Sequence, residues 1–378
     1  MNGLYFHIPF CPKKCPYCDF FSTDRHSAAD LEDYISLLCR HLELVVEAAS
    51  WHGPLQSVYF GGGTPTLLSS AQIGRLLGAV DQQIGLTADA EISLEGNPGT
   101  LSLSRLEGYR TAGVNRLSLG IQTQNPRQLR QLGRQHSRSD SLQAVRWARQ
   151  AGFRNLSLDL IFALPGQTLP DLQQEVREYA GLAPEHLSCY GLTAEAGTPL
   201  EAVVRQGAVV LPDGDFYADA FMCLHEGLQT AGYEHYEIAN YARPGFACRH
   251  NLGYWQRQPC LGLGAGAHSF RPAGWGERWA VPAALEVFRS AVRQGHDPSV
   301  LLEKFDRRAA MAETLYLGLR TRQGVDEATF RKTFGAGVSE AFPGPVAQLA
   351  ASLQHQAGAW RFQPASWLLF DRLIQAFL

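Results

Sequence analysis

Cysteine is scarce in this 378-residue chain, at 8, and charged residues make up only 18 % with a formal net charge of −3. So few thiols over that length exclude the dense disulfide framework of a small secreted domain. The stretch ahead of the first motif, Met1 to Phe6, is too short for a secretory leader, so a cytoplasmic protein with reduced thiols is expected. The near-neutral balance lacks a basic stripe for nucleic acid or a polybasic surface for lipid. Long apolar runs are also missing. A stretch such as Leu156 to Leu164 is interrupted by Ser157 and Asp159, and it falls far short of the ~20 residues a bilayer needs. No nucleic-acid partner and no membrane span are therefore expected. No repeat at solenoid spacing and no low-complexity tract occur, and 45 % hydrophobic residues fit a soluble, enzyme-sized protein.

The most informative residues are three of those few cysteines, in Cys11-Pro12-Lys13-Lys14-Cys15-Pro16-Tyr17-Cys18. This C-x3-C-x2-C run supplies three thiolates, one fewer than usually hold an iron–sulfur cluster, so a [4Fe–4S] centre here keeps one iron open for chemistry. Zinc is the competing reading, but structural zinc sites usually take four ligands in two spaced pairs, and no second C-x2-C exists. Cys39, Cys189, Cys223, Cys248 and Cys260 are scattered and read as small buried apolar residues.

The first two thirds alternate β-branched apolar runs with amphipathic segments. Strands are expected at Leu4 to Ile8, Leu55 to Phe60, Ala90 to Glu95, Asn115 to Ile121, Asn155 to Phe162 and His186 to Thr193. Helices are expected at Ala28 to Ala48, Ser69 to Ile84, Ser102 to Ala112, Ser139 to Gly152 and Thr168 to Leu182. Repeated βα units give a parallel sheet, wound either into a barrel or into an open doubly wound sheet. The polar and glycine-rich oddities choose the barrel, because they fall at the C-terminal ends of the strands, where barrel loops converge on a ligand. Gly61-Gly62-Gly63-Thr64-Pro65 follows the second strand and lets backbone approach a ligand closely, although alone it reads as a turn. Glu95 ends the third strand, Gln122 the fourth, and Asp159 interrupts the fifth. Alone, Asp159 would be a hydrogen-bonded structural residue and Arg134 a surface charge; their shared rim draws both toward the site.

The cysteine spacing, with an aromatic before the third thiol, resembles the radical S-adenosylmethionine (SAM) superfamily. Tyr5-Phe6-His7-Ile8-Pro9-Phe10-Cys11, Cys15-Pro16-Tyr17-Cys18-Asp19-Phe20, Gly61 to Thr66, Gly113 to Gln122 and Asp159 to Thr168 narrow the resemblance to the oxygen-independent coproporphyrinogen III oxidase and HemW group. It runs from residue 4 to about 330. The resemblance implies a partial six-stranded β/α barrel of TIM type, with Cys11, Cys15 and Cys18 on the cluster. It places SAM against Tyr5, Tyr17, Gly62, Gly63, Thr64, Glu95, Gln122, Arg134 and Asp159, where one electron from the cluster cleaves it to a radical. Two departures separate this chain from the oxidase. Phe20 stands where the oxidase has a fourth cysteine, and only ten residues precede Cys11, too few for the oxidase's substrate-enclosing extension. Both are features of the HemW haem chaperones. An open site would protect a porphyrinogen radical poorly from solvent.

His250-Asn251-Leu252-Gly253-Tyr254-Trp255 resembles the H-N-x-x-Y-W motif of that group and makes His250 the candidate haem ligand; the plain alternative is a hydrogen-bonded histidine beside packed aromatics. His268, after the glycines of Leu261-Gly262-Leu263-Gly264-Ala265-Gly266-Ala267, is a weaker candidate, and that stretch lacks the spacing of a dinucleotide fingerprint. The expected organisation is a core barrel over 1–240, a connecting segment over 241–281 and a smaller, mainly helical C-terminal domain of winged-helix type over 282–378. Within the last, helices are expected at Ala284 to Arg293, Arg307 to Leu319, Val325 to Phe334, Pro343 to Gln356 and Trp367 to Phe377, with a strand at Ala359 to Phe362. The implied function is haem carriage to haem-acceptor proteins, controlled by the cluster and SAM, with flavodoxin or ferredoxin as electron donor and a homodimer left open. The alternative is decarboxylation of coproporphyrinogen III, and a third option is radical chemistry on an unrelated substrate.

Overall fold

In a computed structural model, which describes residues 2–49, 51 and 53–378, the βα alternation winds into an open barrel. Strands β1 (Gly3–Ile8), β2 (Leu55–Gly62), β3 (Leu86–Gly96), β4 (Arg116–Gln122), β5 (Leu156–Phe162) and β6 (His186–Gly191) lie side by side in chain order. Every neighbouring pair among them is parallel. The connecting helices are α1 (Ala28–Ala49), α2 (Ser70–Gln83), α3 (Leu103–Thr111), the short α4 (Pro126–Gln131), α5 (Arg138–Gln150) and α6 (Leu169–Gly181). Three of them open on a reciprocal capping box, Ser69 with Gln72, Ser137 with Asp140 and Thr168 with Asp171. Each box satisfies two orphan amides of the first turn, which is why these helices start where the sequence places them. The strands bury Leu4, Phe6, Val58, Phe60, Leu94, Leu117, Leu119, Leu158 and Leu160 in one continuous core.

After α7 (Pro199–Arg205) and α8 (Gly214–Thr230), the chain adds β7 (Glu234–Glu237) and β8 (Asn240–Ala242) antiparallel beyond β6. Helix α9 (Arg249–Trp255) then leads to β9 (Cys260–Leu263), which returns to the opposite side and pairs parallel with β1. Strands β10 (His268–Arg271), β11 (Glu277–Ala280) and, after α10 (Leu285–Arg293), β12 (Val300–Lys304) continue outward as an antiparallel ribbon. The sheet thus has twelve strands with β12 and β7 outermost, and β7 is bridged at Glu237 to Thr321 of the C-terminal part.

The expected boundaries at 241 and 282 do not coincide with this architecture. Residues 241–281 are not a bare connection but supply three strands of the main sheet, and the ribbon extends to Lys304. The glycine stretch is a turn in tight contact rather than a ligand cradle. A Cβ on Gly262 would strike the backbone of His268, and one on Gly264, whose φ is +98°, would strike the Tyr34 hydroxyl. Beyond Lys304, α11 (Arg307–Gly318) and α12 (Glu327–Phe334) pack with a three-stranded sheet of β13 (Val325–Asp326), β14 (Leu353–Gln356) and β15 (Ala359–Phe362). The helix expected over 343–356 ends at Gln348, and its last residues form β14, paired across a turn with β15. Apolar residues too few for either periodicity to dominate explain that miss. No helix among the described residues is long and apolar enough to cross a membrane.

Candidate functional site

The loop leaving β1 carries the three cysteines over the C-terminal ends of the barrel strands. Its base is fixed by two backbone bonds, Cys11 N to Thr23 O at 2.9 Å and Thr23 N to Pro9 O at 2.8 Å. Cys11, Cys15 and Cys18 are all free thiols, and burial pushes the Cys11 and Cys18 thiols up from their ordinary range. All three border one cavity of about 330 Å³, together with Tyr17, Gly62, Gly63, Thr64, Glu95, Gln122, Arg134 and Asp159. Nearly the whole residue set expected at the site is thus brought to one place.

The geometry explains the residue types. Gly62 adopts φ +112°, and a Cβ there would sit 2.8 Å from the His7 ring; on Gly63 it would sit 2.6 Å from Phe10 O and 2.9 Å from Cys11 Sγ. Only bare backbone fits between the cysteine loop and the cavity. Glu95 accepts from the Tyr59 hydroxyl at 2.8 Å and the Gly62 amide at 3.2 Å, and burial raises its carboxyl to about 7. Burial likewise raises Asp159 to about 6, while Ser118 donates to it at 3.1 Å. Gln122 closes β4 with φ +71°, a left-handed conformation uncommon for a non-glycine residue and frequent at ligand sites. Arg134 spans the floor, donating to Gly120 O at 2.6 Å and Asn97 Oδ1 at 3.0 Å and lying 3.5 Å from Cys15 Sγ. Its buried Nε has no partner among the described residues, which leaves a donor for an acceptor on a bound group.

The donor set fits an iron–sulfur cluster and an adjoining polar ligand. Among the described residues no three His, Cys, Asp or Glu side chains converge on a position that could hold one ion, while three thiols border the same cavity. That spread suits a multi-iron centre better than a single zinc.

Three of the expected residues lie outside this cavity. Tyr5 does not line the cavity: it lies behind the glycine loop, its hydroxyl 3.1 Å from His7 Nδ1 and its ring stacked on Tyr59. His250, expected as a haem ligand, lies inside the barrel at 3 % exposure. Its Nδ1 is 2.9 Å from Ser57 Oγ and its Nε2 3.3 Å from the Tyr254 hydroxyl, so this conformation offers no ring nitrogen to an iron. Burial holds it neutral, lowered to about 3. His268 is exposed on β10 but does not border the cavity. Conversely, sequence reasoning missed Asn97, Phe20 and Tyr190 as lining residues. Asn97 and Tyr190 sit at strand ends on the same rim as Glu95 and Gln122, and that placement was the available signal.

A model of the radical SAM superfamily matches residues 5–178, and one of the HemN C-terminal domain matches residues 305–369. The chain is 38 % identical over 335 residues to the heme chaperone HemW of Synechocystis sp., covering 86 % of this chain and 79 % of that one. It is 41 % identical over 266 residues to HemW of Escherichia coli, covering 70 % and 69 %. The mouse mitochondrial radical S-adenosyl methionine domain-containing protein 1 is 37 % identical over 334 residues, covering 85 % and 74 %. Among solved structures, coproporphyrinogen III oxidase (HemN) from E. coli superposes with a TM-score of 0.83 at 23 % identity, covering 100 % of this chain and 89 % of that one, which shows a shared fold. Radical SAM membership implies SAM and a [4Fe–4S] cluster, the two groups whose donors the cavity assembles. By sequence over most of its length, the chain belongs to the heme chaperone HemW family.

Proposed function

We propose that this protein, in the cytoplasm, binds haem and delivers it to haem-requiring proteins, with a cluster and SAM held at the barrel mouth controlling the transfer. The observation that carries this reading is HemW kinship spanning 86 % of the chain, joined to a thiol loop in which the position after Asp19 is Phe20 rather than a fourth cysteine. Cys11, Cys15 and Cys18 would hold the cluster, leaving one iron to SAM. When bound, the pair supplies one-electron chemistry from a flavodoxin- or ferredoxin-type donor. The chain's own residues do the rest. Gly62 and Gly63 admit the ligand against bare backbone, Glu95 and Asp159 offer hydrogen-bond acceptors or protons, and Arg134 offers its unpartnered Nε and fixes the β4 end. Tyr17 and Thr64 close the walls, and Gln122 holds a strained turn toward the ligand. Tyr5 and His250 act as positioning residues behind this shell.

Anaerobically reconstituted protein should show a haem Soret band that responds to SAM and reductant, and should form no protoporphyrinogen IX from coproporphyrinogen III. Turnover of coproporphyrinogen without haem binding would establish the oxidase instead. Replacing any of the three loop cysteines with Ala should remove nearly all bound iron.

A further inference from the structure

Only three large aromatic side chains among the described residues are exposed: Phe20 at 63 %, Tyr190 at 48 % and Trp275 at 40 %. Trp275 stacks on Phe334, far along the chain from the site. The other two border the cavity, Phe20 from the cysteine loop after β1 and Tyr190 from the end of β6. Five parallel pairings separate β1 from β6 in the sheet, so the two rings reach the same cavity from different strands. Neither stacks on another ring among the described residues, and Ile161 and Leu192 add apolar lining to the same cavity. Exposed, unstacked aromatics at the mouth of a concave site are a signature of ligand contact rather than of packing.

Charge adds an independent indication. The chain has four lysines, Lys13, Lys14, Lys304 and Lys332, against 29 arginines (33 basic residues less those 4). Two of the four stand side by side on the cysteine loop, both exposed and both bordering the cavity. Their long stems let each ammonium follow a carboxylate over several ångströms. Asp19 and Glu195 also border the mouth, and Glu195 is engaged by the Thr193 hydroxyl at 2.7 Å. The cavity, at about 330 Å³, lies at the small end of the roughly 300–1,000 Å³ usual for ligand pockets, so with a cluster and SAM inside it the place left for a larger flat ligand is its mouth.

Building on the haem-carrier reading, we infer that the macrocycle docks at this mouth, its faces against Phe20 and Tyr190 and its two carboxylates paired with Lys13 and Lys14. The site lies above the SAM cavity and does not involve His250.

Ferric protoporphyrin IX titrated into cluster-loaded protein, followed at the Soret band, tests this. The double variant Phe20→Ala, Tyr190→Ala should weaken binding about tenfold or more while keeping its iron content, since neither side chain is a cluster ligand. Tyr190→Phe should restore most of the loss, because the ring and not the hydroxyl makes the contact. Lys13→Ala, Lys14→Ala should erase the wild-type preference for the free diacid over its dimethyl ester. Unchanged affinity in the aromatic double variant, or equal loss in Tyr190→Phe and Tyr190→Ala, would overturn the site while leaving the carrier reading intact. A wild-type protein that binds no haemin at all would overturn both.

Discussion

At the scale of single residues, two carboxyls set a pH dependence. Asp159 and Glu95 are raised by burial to about 6 and about 7. Between the ordinary carboxylate range and those values, the folded protein keeps protons that the unfolded chain has released. Stability of the metal-free protein therefore falls as pH rises from about 4 to about 7. Asp159→Asn removes one of these titrations, and the Ser118 and Ser188 hydroxyls can turn to accept from the new amide. Its melting temperature should exceed the wild type's by ~2–4 °C at pH 7.5, with the gain vanishing near pH 4. Thermal melts of both proteins across that range would measure this; a constant offset would mean Asp159 is already ionised when folded. His250 gives a second prediction. Its ring packs against Tyr59 and Tyr254 and bridges two hydroxyls, so His250→Ala should cost about 2–4 kcal/mol in denaturant unfolding without loss of cluster iron. A variant of undiminished stability that fails to bind haem would return the ligand role to this histidine.

At the scale of elements, the loop after β2 and the loop after β1 are locked face to face through glycine. A side chain at position 63 has nowhere to go, with Phe10 O and Cys11 Sγ both inside contact distance. Gly63→Ala should therefore displace the cysteine loop, destabilise the fold by about 1–3 kcal/mol and lower the iron retained after reconstitution, read by iron analysis. The barrel strands and their helices were legible because apolar periodicity, capping boxes and glycine turns all agree there. The cavity residues were legible because one-sided burial puts every oddity of an apolar strand at its end. The late strands were not. β9 and β10 have four residues each, and the place of β9 beside β1, with β10 outside it, depends on a pairing more than 250 positions away, which no local pattern announces. The burial of His250 was not legible for a related reason: a motif names a residue type, whereas exposure is decided by what packs around it.

At the scale of the molecule, the main sheet and the C-terminal part are joined through Glu313. This α11 carboxylate is hydrogen-bonded to Arg257, which follows α9, and to Arg278 on β11 at 2.6 Å, with Glu313 only 10 % exposed. Removing it strands two partly buried guanidinium groups. Glu313→Ala should lower stability by ~3 kcal/mol and make the segment beyond Lys304 cleave first in limited proteolysis. Retention of wild-type protease resistance would show that apolar packing and the backbone bonds of Tyr236 and Ile238, at the end of β7, to residues 320–322 hold the two parts without it. The pairing of β1 with both β2 and β9 also fixes an order of events during synthesis. The cysteine loop leaves the ribosome well before β9, so the wall beside it is missing until residue 263 has emerged, roughly 10–50 s later at ~5–20 residues per second. For that interval the thiols are tethered to an unfinished barrel, which makes iron delivery to this protein a step for the completed chain.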